Sequence, residues 1–162
     1  MTNSNFSNYS DLDRPEVLMA LFHPRPEGGA FGNADKGLDL LIPVTEDIRL
    51  GASFHIRDDN CPNILFFHGN GEIVADYDDL GSMYNQLEIN FLPVDYRGYG
   101  RSNGEPSVAN MMKDCHTIFR FVRQWLQENR HDGPLIVMGR SLGSASALEL
   151  ARAYKTDLDA LI

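Results

Sequence analysis

The stretch from Pro134 to Ala147, Pro-Leu-Ile-Val-Met-Gly-Arg-Ser-Leu-Gly-Ser-Ala-Ser-Ala, constrains this chain more than any other. A short apolar run stops at Gly139-Arg140-Ser141-Leu142-Gly143, and small residues at helical spacing follow. That pattern predicts a strand, a sharp turn and a helix, with Ser141 at the apex. A side chain two positions either side of the serine would meet neighbouring backbone, which accounts for Gly139 and Gly143. The following helix offers free backbone N–H groups and positive partial charge beside the hydroxyl, where an oxyanion would be stabilised. A plain glycine-serine turn leading into a core helix would leave the same five residues, so the neighbouring segments matter.

Those segments alternate strand and helix. Leu38 to Val44 and Ile48 to Ile56 predict a hairpin, the second strand half-buried because Ile48, Leu50, Ala52, Phe54 and Ile56 share one face. Ile64-Leu65-Phe66-Phe67 is a continuous apolar run, as expected of a strand buried on both faces. It ends at His68-Gly69-Asn70-Gly71-Glu72, after which Ile73, Tyr77, Leu80, Tyr84 and Leu87 recur at helical spacing. Ile89 to Val94 is the next strand and runs into the turn-rich Asp95 to Pro106. Ser107 is placed to cap a long helix whose apolar stripe runs from Val108 to Leu126. After the Ser141 helix, Leu158 to Ile162 reads as the start of a sixth strand, where the sequence stops.

The expected fold class is therefore α/β, a mostly parallel sheet with helices on both faces. In such sheets ligands bind beyond the carboxyl ends of the strands. Three loops converge there: His68 to Glu72, Asp95 to Gly100, and Gly139 to Gly143. Ahead of the sheet, residues 1–36 read as an arm: a frayed polar end over 1–12, then a short helix-like patch from Arg14 to Phe22 with Pro15 at a start position and Val17, Leu18 and Leu21 on one side. The arm is expected on the outside of a main domain over 37–162, with His23 a loop residue beside Pro24.

The chain has 162 residues, enough for one domain with a real core. Lys+Arg 14 against Asp+Glu 23 gives a net charge of −9, and no basic run or basic helix face argues for a nucleic-acid partner. Cys61 and Cys115 sit in no Cys/His cluster, so free thiols are expected and neither a metal site nor a cofactor is implied. No apolar run approaches the roughly 18 residues of a membrane span, and the N-terminus lacks a signal pattern, so the expected setting is cytoplasmic. The lack of G-x-x-x-x-G-K-[ST] and G-x-G-x-x-G leaves little for a nucleotide.

Together, His68-Gly69-Asn70-Gly71-Glu72, Asp95-Tyr96-Arg97-Gly98-Tyr99-Gly100-Arg101-Ser102 and Gly139-Arg140-Ser141-Leu142-Gly143, each after a strand, resemble the third, fourth and fifth strands of the α/β-hydrolase superfamily. They look most like its branch of serine hydrolases with depalmitoylase-like members. The resemblance covers residues 37–162 and implies the N-terminal part of that fold, ending at the start of the sixth strand. It implies Ser141 as the nucleophile of an ester or thioester hydrolase. The backbone N–H groups of Leu142 and Asn70 would be its oxyanion hole. Gly69, Gly139 and Gly143 would shape the loops, with His68 structural and Asp95 and Arg97 bracing the pocket floor.

A serine of this kind needs a histidine base and an orienting acid. In this fold both follow the serine in the chain. No histidine follows Ser141 here, and Glu149, Asp157 and Asp159 do not end a later strand. Among earlier histidines, His55 and His131 belong at the far end of the sheet, and His116 on the polar side of the long helix. The acid and base are therefore expected beyond residue 162. An unpaired apolar edge on the Ser141 strand would then favour self-association. The alternative is a non-catalytic binding or scaffold chain on a hydrolase-like fold.

Overall fold

The computed structural model describes residues 9–28 and 37–162. The expected fraying of residues 1–8 and the end of the arm over 29–36 lie outside the described residues. Helix α1 (Pro15–Leu21) precedes strands β1 (Leu38–Pro43), β2 (Arg49–Phe54) and β3 (Asn63–Phe67). Then come α2 (Asp78–Gln86), β4 (Asn90–Val94), α3 (Val108–Glu128), β5 (Leu135–Gly139), α4 (Gly143–Ala153) and β6 (Ala160–Leu161). The sheet order is β1-β2-β4-β3-β5-β6. The β1–β2 hairpin and its β2–β4 junction are antiparallel, and the pairings from β4 to β6 are parallel. This is the α/β class the sequence predicts.

Alternation along the buried strands sorts their side chains between two faces. Leu65, Phe67, Leu92, Val94 and Val137 join the core under α3 and α4. Ile64, Phe66 and Phe91 point the other way, with Tyr77, and the α2 residues Leu80 and Tyr84 pack against them. Tyr84 stacks on Phe91 with ring centroids 4.8 Å apart. Ser107 caps α3 as expected, its Oγ accepting the Asn110 amide at 3.1 Å. A second cap comes from the arm, where Asp13 Oδ1 accepts the Val108 amide at 2.7 Å.

The structure corrects five local expectations. Strand β2 is buried on both faces, because the loop after β4 folds over the side expected to face water: Ser102 Oγ accepts the Gly51 amide, and a side chain at Gly51 would start 3.2 Å from Arg101 Cβ. The helix expected from Ile73 begins only at Asp78, after a short 3₁₀ turn over Val74–Tyr77, and ends before Leu87, which is exposed. The described part of the arm lies outside as expected, α1 burying no residue, but it is anchored at both ends. Phe22 is buried in the main core, and Tyr9, placed in the frayed end, reaches Glu149 Oε2 at 3.2 Å. Histidine 116 is not on a polar side: it is buried between α3 and α4, with Nε2 3.2 Å from Glu149 Oε1. Finally, β5 is not the open edge. Asp159 N donates to Leu135 O, Ile162 N to Val137 O and Gly139 N to Ile162 O, so the exposed edge belongs to β6.

Candidate active site

One register row brings the three loops together. Phe67 pairs with Val94 on one side and with Gly139 on the other, so β3, β4 and β5 end at the same level. His68, Asp95 and Arg140 follow at once. The chain leaves β3 toward α2 on one face and leaves β5 toward α4 on the other, which opens a crevice between the two strand ends.

Ser141 sits in that crevice with φ +51°, a left-handed conformation rare for a residue with a side chain. The turn around it is closed by Gly143 N donating to Arg140 O at 2.9 Å and Ser144 N to Ser141 O at 3.0 Å. An added Cβ at Gly139 would lie 2.5 Å from Gly143 O, and one at Gly143 would lie 2.0 Å from Phe67 O. Both glycines are thus required by backbone. Such strain persists only where its surroundings hold it, and it gathers at functional positions. Ser141 is exposed, and its side chain makes no hydrogen bond among the described residues.

Across the crevice, the His68–Glu72 loop is pinned at several points. The buried His68 ring places Nδ1 2.8 Å from Gly69 O. A trans peptide points its C=O and N–H in opposite directions. With the Gly69 carbonyl turned inward onto His68, the Asn70 N–H faces away from the buried ring. Glu72 Oε2 accepts both the Gly69 amide at 2.7 Å and the Tyr77 hydroxyl at 2.6 Å, and Glu72 also pairs with Arg140, next to Ser141. Neither the Asn70 nor the Leu142 amide donates to a backbone carbonyl among the described residues.

Below them, Asp95 is fully buried. Its Oδ1 accepts the Val74 amide at 2.9 Å and lies 3.2 Å from His68 Nε2. Tyr96 donates to His68 O at 2.7 Å, and burial pushes its hydroxyl pKa far above the ordinary 10.0, so it stays a donor. Arg97 forks onto Asp114 of α3 through Nε and Nη2 at 2.6 and 2.8 Å, tying the loop to the helix layer.

The histidines divide as follows. His55 bridges Phe91 at the start of β4, and His131 stacks on Trp125 ahead of β5, so both lie at the opposite end of the sheet from Ser141. His116 is enclosed by Glu149 and Tyr154. His68 lies under the loop. His23 is the loop residue expected beside Pro24, and it lies at the Ser141 end, with Nδ1 2.7 Å from Asn70 Nδ2. Its part in the site, and those of Glu72, Arg140 and Tyr99, were not read from the sequence. Glu72 had a local signal, an acid three residues after the amide it accepts. His23 had none. No group of three or more His, Cys, Asp or Glu suited to a metal occurs among the described residues.

This sheet order with a strained serine between β5 and α4 defines an α/β-hydrolase fold. The serine aminopeptidase S33 family profile matches residues 58–162, and the chain belongs to that hydrolase family. It is 34% identical to the lysophosphatidylserine lipase ABHD12 of Gallus gallus over 147 residues, covering 90% of this chain and 34% of that protein. It is 32% identical to the α/β-hydrolase domain-containing protein WAV2 of Arabidopsis thaliana, covering 76% of this chain and 41% of that one. The chain thus spans well under half the length of these relatives. The solved Pyrococcus furiosus esterase Pf2001 shares the fold, with TM-score 0.65 and 18% identity, over 86% of this chain and 56% of that one. Among the described residues, no helix is long and apolar enough to cross a membrane.

Proposed function

We propose that this chain carries the nucleophile and oxyanion half of a serine hydrolase for carboxylic esters or thioesters. Ser141 Oγ attacks the acyl carbon, the carbonyl π electrons move onto oxygen, and collapse expels the alcohol or thiol to leave an acyl-enzyme that water then hydrolyses. The amides of Leu142, at the head of α4, and of Asn70 stabilise the oxyanion. His68 and Asp95 hold the second donor in place, and Gly69, Gly139 and Gly143 keep the backbone close. The observation that supports this reading is the left-handed Ser141, two residues past Gly139, which pairs with Phe67 at the start of the loop that carries Asn70. On this reading residues 37–162 form the hydrolase unit, with the described part of the arm, residues 9–28, built against it.

The base that takes the Ser141 proton is not assigned to a histidine of this chain: His55 and His131 lie at the other end of the sheet, His68 and His116 are enclosed, and His23 is engaged with Asn70. No cofactor is needed for this chemistry. The lipase relative supports a lipid acyl ester as the first substrate to try. The buried free thiols Cys61 and Cys115 support a reducing, cytoplasmic setting. Self-association would run through the exposed edge of β6.

The test is labelling by a fluorophosphonate probe, comparing the protein with Ser141→Ala. Labelling that vanishes on substitution supports an activated serine, and labelling that survives it sinks the reading. The unpartnered Ser141 hydroxyl favours one second reading, a non-catalytic acyl-binding chain. Fatty-acid binding unchanged in Ser141→Ala, with no labelling of the folded parent, would select it.

A further inference from the structure

We propose that His23, from the arm ahead of the sheet, is a positioning residue for the Asn70 amide; this rests on the serine-hydrolase reading above. Asn70, His23 and Tyr99 close a small ring of hydrogen bonds. The His23 backbone N–H donates to Asn70 Oδ1 at 2.9 Å and to the Tyr99 hydroxyl oxygen at 2.8 Å. The Tyr99 hydroxyl donates to the same Asn70 Oδ1 at 2.8 Å. Two donors converging on one atom fix it as the amide oxygen, which leaves the Asn70 NH₂ facing His23 Nδ1 at 2.7 Å. That nitrogen must accept, so the proton of the neutral ring sits on Nε2. In this tautomer His23 holds Asn70 and does not serve as the base.

The ring of bonds matters because of what lies on either side of it. The Gly69–Asn70 peptide is anchored at its carbonyl by His68. His23 and Tyr99 anchor the Asn70 side chain, so the N–H between these anchors cannot swing. His23 is itself held firmly. Phe22 before it is buried in the core. After it, the Gly100 amide donates to Arg25 O at 2.9 Å, Glu27 N donates to Gly100 O at 3.0 Å, and Arg25 pairs with Asp76. Arg101 meets Glu27 at 3.0 Å. The arm therefore laces the loop after β3 to the loop after β4, although the family match begins only at residue 58. The proposed oxyanion site depends on residues outside the matched region.

The experiment compares probe labelling of Ser141 and hydrolysis of p-nitrophenyl butyrate in the protein and its variants. His23→Ala should lower kcat by about tenfold, with KM within about twofold, since a misaligned donor weakens the transition state more than the ground state. His23→Asn, whose amide oxygen stands where Nδ1 was, should recover most of the loss. His23→Leu should not, even at an unchanged Tm. In an Asn70→Ala background, His23→Ala should cost nothing further. Ser141-dependent labelling that is the same in His23→Ala overturns this inference alone, as does recovery by Leu equal to that by Asn. A parent protein that does not label removes the hydrolase reading and this role of His23 together. A ring ¹⁵N spectrum checks the geometry without activity: a proton on Nδ1 at pH 7.5 overturns it.

Discussion

The carbonyl of Phe67 lies where a side chain on Gly143 would begin, 2.0 Å from the Cβ position, while accepting the Arg140 amide at 3.0 Å. The end of β3 and the start of α4 are therefore in backbone contact, and the elbow is closed against the neighbouring strand as well as by its own turn. Gly143→Ala should destabilise the protein by about 3 kcal/mol, because neither backbone can move without breaking the β3–β5 register. Urea unfolding reads this directly. A loss under about 1 kcal/mol would show that the elbow yields.

Arg97 and Asp114 form a bidentate pair with side chains only 12% and 6% exposed. Removing one partner strands a largely buried charge. Asp114→Leu alone should cost about 3 kcal/mol, whereas Asp114→Leu combined with Arg97→Met should recover most of it. A double variant as unstable as the single would mean that loop geometry, not charge, is what the pair supplies.

Stability should fall with acidification from neutral pH, first through histidines. Burial holds the pKa of His116 below the ordinary 6.5, against the pull of Glu149, and burial does the same at His55 against Asp78 and Asp39. A histidine whose folded pKa is depressed binds its proton first in the unfolded chain, so its stabilising effect is complete above 6.5 and is lost as pH falls through it toward the folded value. Glu149 adds the same sign lower down. Its hydrogen bond from Arg152 outweighs burial and holds its pKa below the ordinary 4.5. That contribution is present above 4.5 and lost as pH drops through the folded value. Unfolding free energies should be level between pH 8 and 7 and decline through 6 to 5, and His116→Gln should lessen that decline. A flat profile from 8 to 5.5 would contradict this.

The β6 edge carries Leu161 and Ile162, 42% and 62% exposed. If association runs through that edge, Leu161→Lys should shift this chain toward monomer in sedimentation velocity, since an inserted charge disfavours strand addition. An unchanged distribution would point to another surface.

Much of the fold was legible because its signals are local. The apolar runs of β3, β4 and β5 and the stripe of α3 appear where periodicity placed them, and the glycines flanking Ser141 are required for the steric reason their spacing suggested. The errors came where a neighbour distant in sequence intervened. Alternation made β2 half-buried, but the Arg101–Ser102 segment covers its other face. Helical phase put His116 outward, but α4 brings Glu149 against it. The end of the N-terminal arm looked frayed, yet Tyr9 reaches Glu149.

The sequence by itself determined that this chain builds a parallel α/β sheet with a strained serine at a strand-to-helix turn. Those properties depend on residues a few positions apart: backbone sterics at Gly-x-Ser-x-Gly and side-chain periods of two and 3.6. Only the tertiary structure decided which side chains distant in sequence meet. His23 meets Asn70 across 47 residues, and His116 meets Glu149 across 33. Such meetings are set by sheet register and helix docking, which sum many weak contacts over the whole core, so no short window of sequence contains them.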